Sequence, residues 1–125
     1  MLPSALASPT LAFHDRQSLK AGSAGVCYDG AIVELSNDGG TSWSALPVVL
    51  TDPFDGFVNA AFGNPLAGQQ AWCGDPGDDR KSVIDLAGHA GETVRFRFRI
   101  GHDRFPHRRG ANWTVDDVRV AGCAP

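Results

Sequence analysis

The chain has 125 residues, 15 of them Gly and 8 Pro with a single Met, and a net charge of −3. That length gives one domain with a core of its own, and the turn-rich composition favours an all-β protein over a helical one. Neither the charge nor any long apolar run points to nucleic acid or to a membrane span.

Residues 1–9 read as a linker or the remnant of an upstream element, and residues 10–125 as one domain. Met1 to Ala7 is apolar but short and has no basic leader, so it does not match a signal peptide. Leu11-Ala12-Phe13 opens a strand with Leu11 and Phe13 on one face, continued by His14-Asp15-Arg16. After a loop of small residues, Ala31-Ile32-Val33-Glu34-Leu35 forms a second strand. Val33 and Leu35 are expected to face the core, with Glu34 and Ser36 outward.

A hairpin turn on Asp38-Gly39-Gly40 follows, because these dipeptides accept positive φ at low cost. Ser36, Asp38, Gly40 and Trp43 fit the Ser-x-Asp-x-Gly-x-x-Trp spacing of an Asp box. In that motif the Ser and Asp side chains satisfy the backbone N–H groups of the turn, and Trp43 lies back over it as a buried aromatic. The motif is a folding device found in enzymes and non-enzymes alike.

Val48-Val49-Leu50 is a short arm ending at Thr51-Asp52-Pro53. From Phe54 to Trp72 the periodicity is lost, and a long excursion is expected with Phe57, Phe62 and Leu66 as its anchors. Cys73 to Lys81 is a turn, Ser82 to Leu86 a strand, and Ala87 to Gly91 another turn. Val94, Phe96, Phe98 and Ile100 alternate strictly with Arg95, Arg97 and Arg99, the clearest strand pattern in the chain. In the last strand, Trp113 and Val115 have one parity and Val118 and Val120 the other, so a β-bulge near Asp116-Asp117 would restore one apolar face.

Charge is distributed unevenly. Residues 1–79 hold nine Asp and Glu against two Lys and Arg, while residues 80–125 hold five against nine. In an antiparallel fold the two halves interleave, so this asymmetry reads as pairing between strands. Cys27, Cys73 and Cys123 form no Cys-x-x-Cys pair, which argues against structural zinc and leaves all three disulfide pairings open. The four histidines match no common zinc spacing.

Asp116 and Asp117 are the best candidate ligands for a hard cation, with Asp103 or Asp29 completing oxygen coordination of Ca2+. Asp75, Asp78 and Asp79 lack an EF-hand spacing and read as a solvated turn. Arg104, His107, Arg108 and Arg109 cluster beside Phe105 and Trp113, a composition suited to an anionic group of a glycan. No nucleophile elbow or convincing catalytic pair is present, so the chain reads as a non-enzyme.

Taken in order, several stretches resemble the bacterial MAM-like jelly-roll modules related to cleaved-adhesin domains. They are Asp29-Gly30, Glu34 to Trp43, Asn64-Pro65-Leu66-Ala67-Gly68, Ile84 to Gly91, Val94 to Ile100, and Trp113 to Val118. The resemblance covers about residues 10 to 121. It implies an antiparallel two-sheet β-sandwich of jelly-roll type, secreted or at the cell surface, with a carbohydrate- or protein-binding role and often a structural calcium ion. It also implies a neighbouring catalytic domain, against which a ligand-free packing domain is the alternative role. Family members carry one or two further strands before the segment matching Leu11-Ala12-Phe13, so truncation at the N-terminus is expected. Gln17-Ser18-Leu19 stands where they often carry an acidic residue.

Overall fold

The computed structural model describes residues 9–23, 25–104 and 112–121. Its strands, in chain order, are β1 (Thr10–Ser18), β2 (Val26–Cys27), β3 (Gly30–Ser36), β4 (Ser44–Ala45), β5 (Val49–Thr51), β6 (Gly56–Val58), β7 (Gln70–Ala71), β8 (Arg80–Asp85), β9 (Arg95–Gly101) and β10 (Asn112–Ala121). A single 3₁₀ turn, Ala87–His89, is the one helical element among the described residues. The protein is therefore all-β, as its composition and alternation predict. Its sheets have the orders β10-β1-β8-β5, β4-β3-β9 and β2-β6-β7, and the first two are antiparallel throughout.

Period two along β1 explains how the first two sheets meet. Leu11, Phe13, Asp15 and Gln17 all point inward and are buried, while His14 and Arg16 are exposed. Phe13 sits where the sheets face each other: its ring lies 5.2 Å from Phe98 on β9 and 6.1 Å from Trp113 on β10. Trp72, fully buried, closes the same cluster at 6.0 Å. The contacts of Phe13 with Phe98, Trp72 and Trp113 are edge-on, an arrangement that the ring quadrupole favours. One connected core runs from Leu11 through Val33, Leu66 and Ile84, giving the arrangement the character of a β-sandwich.

The expected bulge is present. Pairing of β1 with β10 shifts between Ala12↔Arg119 and His14↔Asp116, and Asp117 takes φ 55° in the left-handed region. Val118 and Val120 thereby regain the inward parity of Trp113 and Val115. Only the latter pair packs against the core, whereas Val118 and Val120 are 48% and 47% exposed. β10 is an edge strand, and this part of its inner face has no cover among the described residues.

β3 departs from the expected alternation, because every residue in it is buried. Val33 and Leu35 face the core as predicted, and with Ala31 they lie opposite Phe98, Phe96 and Ile100. Glu34 was expected outside, yet it is only 6% exposed. Its carboxylate takes Arg97 Nε at 2.6 Å and Arg99 Nη1 at 3.5 Å, so the arginines of β9 cover it. Such pairs answer part of the uneven charge: Arg80 of the basic half also meets Asp52 of the acidic half, while Lys20 with Asp103 pairs the halves in the opposite sense.

At the β3–β4 turn the Ser36 hydroxyl donates to Asp38 at 2.7 Å and accepts the Gly40 N–H at 2.9 Å. Asp38 Oδ1 accepts the Ser42 N–H at 2.9 Å, and the Ser42 hydroxyl donates to Oδ2. Gly39 and Gly40 both have positive φ, 75° and 96°. Hydrogen bonds from the Ser42 hydroxyl and backbone, then from Ser36, hold the Asp38 carboxyl well below its ordinary value of 3.8. Trp43 is only half-buried, a correction to the expected buried ring. The Arg97 guanidinium covers it at 4.4 Å from the ring centroid.

Trp43→Ala should lower unfolding stability by about 1–2 kcal/mol, the scale of partial burial plus a cation–π contact. Phe13→Ala should cost about 3–5 kcal/mol, the scale for a buried aromatic. Urea unfolding distinguishes them, and equal losses would show that the turn and the core are equally buried. Asp38→Ala should also flatten the acid limb of the stability profile. With a depressed folded value, the contribution of Asp38 is present above pH 3.8 and is lost as pH falls below it.

Candidate functional site

The excursion from Phe54 to Trp72 is where structure adds most to sequence. It contains two short strands that have no periodic signature, β6 and β7, and they join β2 in a small mixed sheet. β2 pairs parallel with β6 (Val26↔Phe57) and β6 antiparallel with β7 (Gly56↔Ala71, Phe57↔Gln70). Close approach makes Gly56 obligatory, since a Cβ there would lie 2.1 Å from the Gly25 carbonyl oxygen. Leu66 and Trp72 are the buried anchors of this segment, and Phe62 is half-buried. Phe57 is not an anchor, because Val58 takes the inward place beside it and the Phe57 ring is 58% exposed.

A disulfide between Cys27 and Cys73 fastens β2 to the segment after β7, settling one of the three possible pairings. Cys123 lies outside the described residues.

Between this small sheet and the β4–β5 connection lies a groove of about 250 Å³. Leu46, Pro47, Phe54 and Phe57 supply its apolar lining, and Gln69 and Gln70 its polar side chains. Phe54 is braced on Trp72, with ring centroids 4.8 Å apart, and Trp72 Nε1 donates to the Asp52 carbonyl at 2.8 Å. Among the described residues no charged side chain lines the groove. Neither glutamine amide hydrogen-bonds another described residue. The result is an exposed Phe57 in the same groove as two glutamines whose amides have no hydrogen-bond partner among the described residues.

The carboxylates considered for calcium fall into two separate pairs. Asp116 and Asp117 lie at the β10 bulge, on the outer side of the sheet. Asp116 Oδ1 accepts the Asp117 N–H at 2.7 Å, while Asp117 takes Arg119 Nε at 3.0 Å and faces His14 Nε2 at 3.9 Å. Asp29 and Asp103 meet elsewhere, beyond the ends of β2 and β9. Asp29 accepts the Asp103 N–H at 3.1 Å and the Lys20 N–H at 3.4 Å. Lys20 Nζ lies 2.8 and 2.9 Å from the two oxygens of Asp103, placing a cation of the chain itself against that carboxylate. Among the described residues no three His, Cys, Asp or Glu side chains converge as metal ligands would.

Of the proposed anion-binding cluster, Arg104 is exposed, and its backbone N–H donates to the Phe62 carbonyl at 2.8 Å. His107, Arg108 and Arg109 lie outside the described residues. Trp113 is placed differently from the sequence expectation of a ligand-stacking ring. It pairs with Gln17 on the inward face, packs against Phe98 at 5.6 Å, and donates from Nε1 to Asp15 at 2.9 Å. Parity along β10, rather than proximity to the basic loop, decides where that ring goes.

Beneath the aromatic cluster runs a polar layer that the alternation pattern does not reveal. Asp15 is 3% exposed and Gln17 is equally buried. Gln17 Nε2 donates to the Cys73 carbonyl and to Asp55 Oδ2 at 3.2 Å, and Asp55 Oδ2 also accepts the Cys73 N–H at 3.0 Å. These bonds and the disulfide position Cys73 twice over. The only sequence sign of the layer is that β1 continues an inward-facing series with Asp and Gln.

Replacing both Cys27 and Cys73 with Ala should lower stability by about 4 kcal/mol, the loop-entropy scale for a 46-residue separation. Guanidinium unfolding with and without reductant measures it, and unchanged midpoints would mean the small sheet is held by its hydrogen bonds alone.

No known protein family, characterised protein or solved structure matches this chain, so a functional reading has to come from the groove and its surroundings.

Proposed function

We propose that this chain is a non-catalytic binding module of a secreted or cell-surface protein, and that a neutral carbohydrate occupies the groove at Phe57. The single observation carrying this reading is the pairing of the exposed Phe57 ring with the uncommitted amides of Gln69 and Gln70. A pyranose ring has an apolar C–H face and a rim of hydroxyls. It buries the first against an aromatic ring, while the second requires donors and acceptors at the same place. An uncharged lining suits a neutral sugar better than an acidic one, for which a cation would be needed. Within this proposal the sandwich is a jelly roll of the MAM-like kind, and the Ser36–Trp43 turn serves as its Asp box. The disulfide suits an oxidising compartment.

A second reading, a domain packing against a catalytic neighbour, is favoured by one feature. Val118 and Val120 leave an apolar strip on the inward parity of β10. An acidic glycan held by Arg104, His107, Arg108 and Arg109 is a third outcome that the same experiment separates.

The test is affinity electrophoresis in gels containing neutral or acidic polysaccharides, followed by calorimetry with matching oligosaccharides. Neutral polysaccharide should retard the protein, and Phe57→Ala should weaken binding about tenfold or more while the melting temperature stays within a degree or two. Retardation by acidic polysaccharide alone, abolished by high salt, would move the site to the basic cluster. No retardation by either would favour the packing domain.

A further inference from the structure

We propose that Asp15 carries a proton in the folded domain and passes a one-way hydrogen-bond chain through Ser82 to Asp52, making a pH-sensitive latch on the corner that follows β5. This proposal stands on the core alone and does not depend on the ligand reading.

The single hydrogen of Ser82 decides where the proton sits. Ser82 Oγ lies 3.1 Å from Asp15 Oδ1 and 3.1 Å from Asp52 Oδ2. A serine hydroxyl has one hydrogen, so it can donate to one of these oxygens and only accept from the other. Were both carboxylates ionised, one of the two contacts would set lone pair against lone pair. Ser82 is fully buried, and Asp15 is nearly so, leaving little water to relieve it.

The direction of the chain is fixed by the groups around it. Asp52 is the ionised end, since Arg80 Nη1 lies 2.7 Å from its Oδ1. Among the described residues Asp15 has no such partner: its Oδ2 accepts the neutral Trp113 Nε1–H, and its Oδ1 meets Ser82. Asp15 Oδ1–H therefore donates to Ser82, and Ser82 O–H donates to Asp52. Burial is the main influence raising the Asp15 carboxyl above its ordinary value, with nearby Asp52 adding to it. The bonds from Trp113 and Ser82 and the charge of Arg80 oppose it without reversing it.

The remaining titratable groups face elsewhere. On β1 itself, His14 and Arg16 point outward, and Arg16 turns to Asp79 and the Gly77 carbonyl. On β8, Lys81 is exposed opposite His14, while Arg80 is shared between Asp52 and Asp78. On β10, Asp116, Asp117 and Arg119 are exposed, with Arg119 bound to Asp117. Asp55 is engaged with Gln17 and the Cys73 backbone.

What the chain latches is a strained corner. Asp52 is a non-glycine residue with φ 53°. It is held by Arg80 and Ser82 through its side chain and by Trp72 through its carbonyl. When Asp15 loses its proton, the single hydroxyl proton has two carboxylates to serve, and one link is lost.

The sign of the linkage follows from the raised value. The latch contributes fully below the ordinary value of 3.8 and fades as pH rises to the folded titration point of Asp15. Asp15→Asn keeps a donor toward Ser82 but cannot ionise. Stability of the two proteins is compared by urea unfolding from about pH 4 to pH 8, and the Asp15 carboxyl carbon is titrated by NMR in the wild type. The folded-to-unfolded ratio of wild type relative to Asp15→Asn should fall by up to about tenfold per pH unit across that window and then level off. The carboxyl carbon should titrate above its ordinary range, and exchange of the Asp55 amide, which donates to the Ala71 carbonyl at 3.0 Å, should quicken over the same window. An Asp15 carbon titrating at the ordinary value, or parallel stability profiles, would overturn the proton assignment. An Asp55 amide equally protected throughout would overturn the latch. If Asp15→Asn does not fold, the wild-type titration decides alone.

Discussion

The two main sheets are joined at Phe13, and the other features of the molecule are placed by that contact. A ring at the middle of the central strand, edge-on to Phe98 from one sheet and to Trp72 and Trp113 from the chain around it, fixes how the sheets face each other. Trp72 then carries the constraint outward. Braced by Phe13 on one side, it supports Phe54 on the other, and Phe54 forms part of the groove. The core and the candidate binding surface are thus one aromatic series, with the disulfide and the Asp55–Gln17 bonds holding the segment around Cys73 in place.

β1 is divided along its length. Leu11 and Phe13 supply an apolar half, while Asp15 and Gln17 supply a polar half that faces the same way and is just as buried. Burying a carboxyl in such a place requires either a cation or a proton. The Asp52 carboxylate has the cation, Arg80, and the Asp15 geometry calls for the proton. Elsewhere the chain meets the same requirement with cations of its own: Arg97 and Arg99 for Glu34, and Lys20 for Asp103.

Much of the fold was legible in the residues. Alternation from Val94 to Ile100 marks a strand, Asp38-Gly39-Gly40 a turn, and the parity change at Asp116-Asp117 a bulge, because each is a local property of the backbone. Glu34 was not legible as a buried residue, since its burial depends on two arginines more than 60 positions away in sequence. β6 and β7 were missed because strands of two or three residues show no period, and they lie against β2, far away in sequence, through the close approach of Gly56 to Gly25. Trp113 was misplaced by reading its neighbours in sequence rather than its partner across the ladder. The groove could not be found at all from sequence, since Phe57, Leu46 and Gln70 meet only in three dimensions.

A double-mutant cycle between Phe13 and Phe98 tests the central contact most directly. Phe13→Leu and Phe98→Leu, made singly and together, keep apolar volume while removing the edge-on pair. Urea unfolding of the four proteins should give a coupling of about 0.5–1.5 kcal/mol, the range for aromatic pairs beyond their buried area. Additive losses would contradict the account, showing that the sheets are not joined through these two rings.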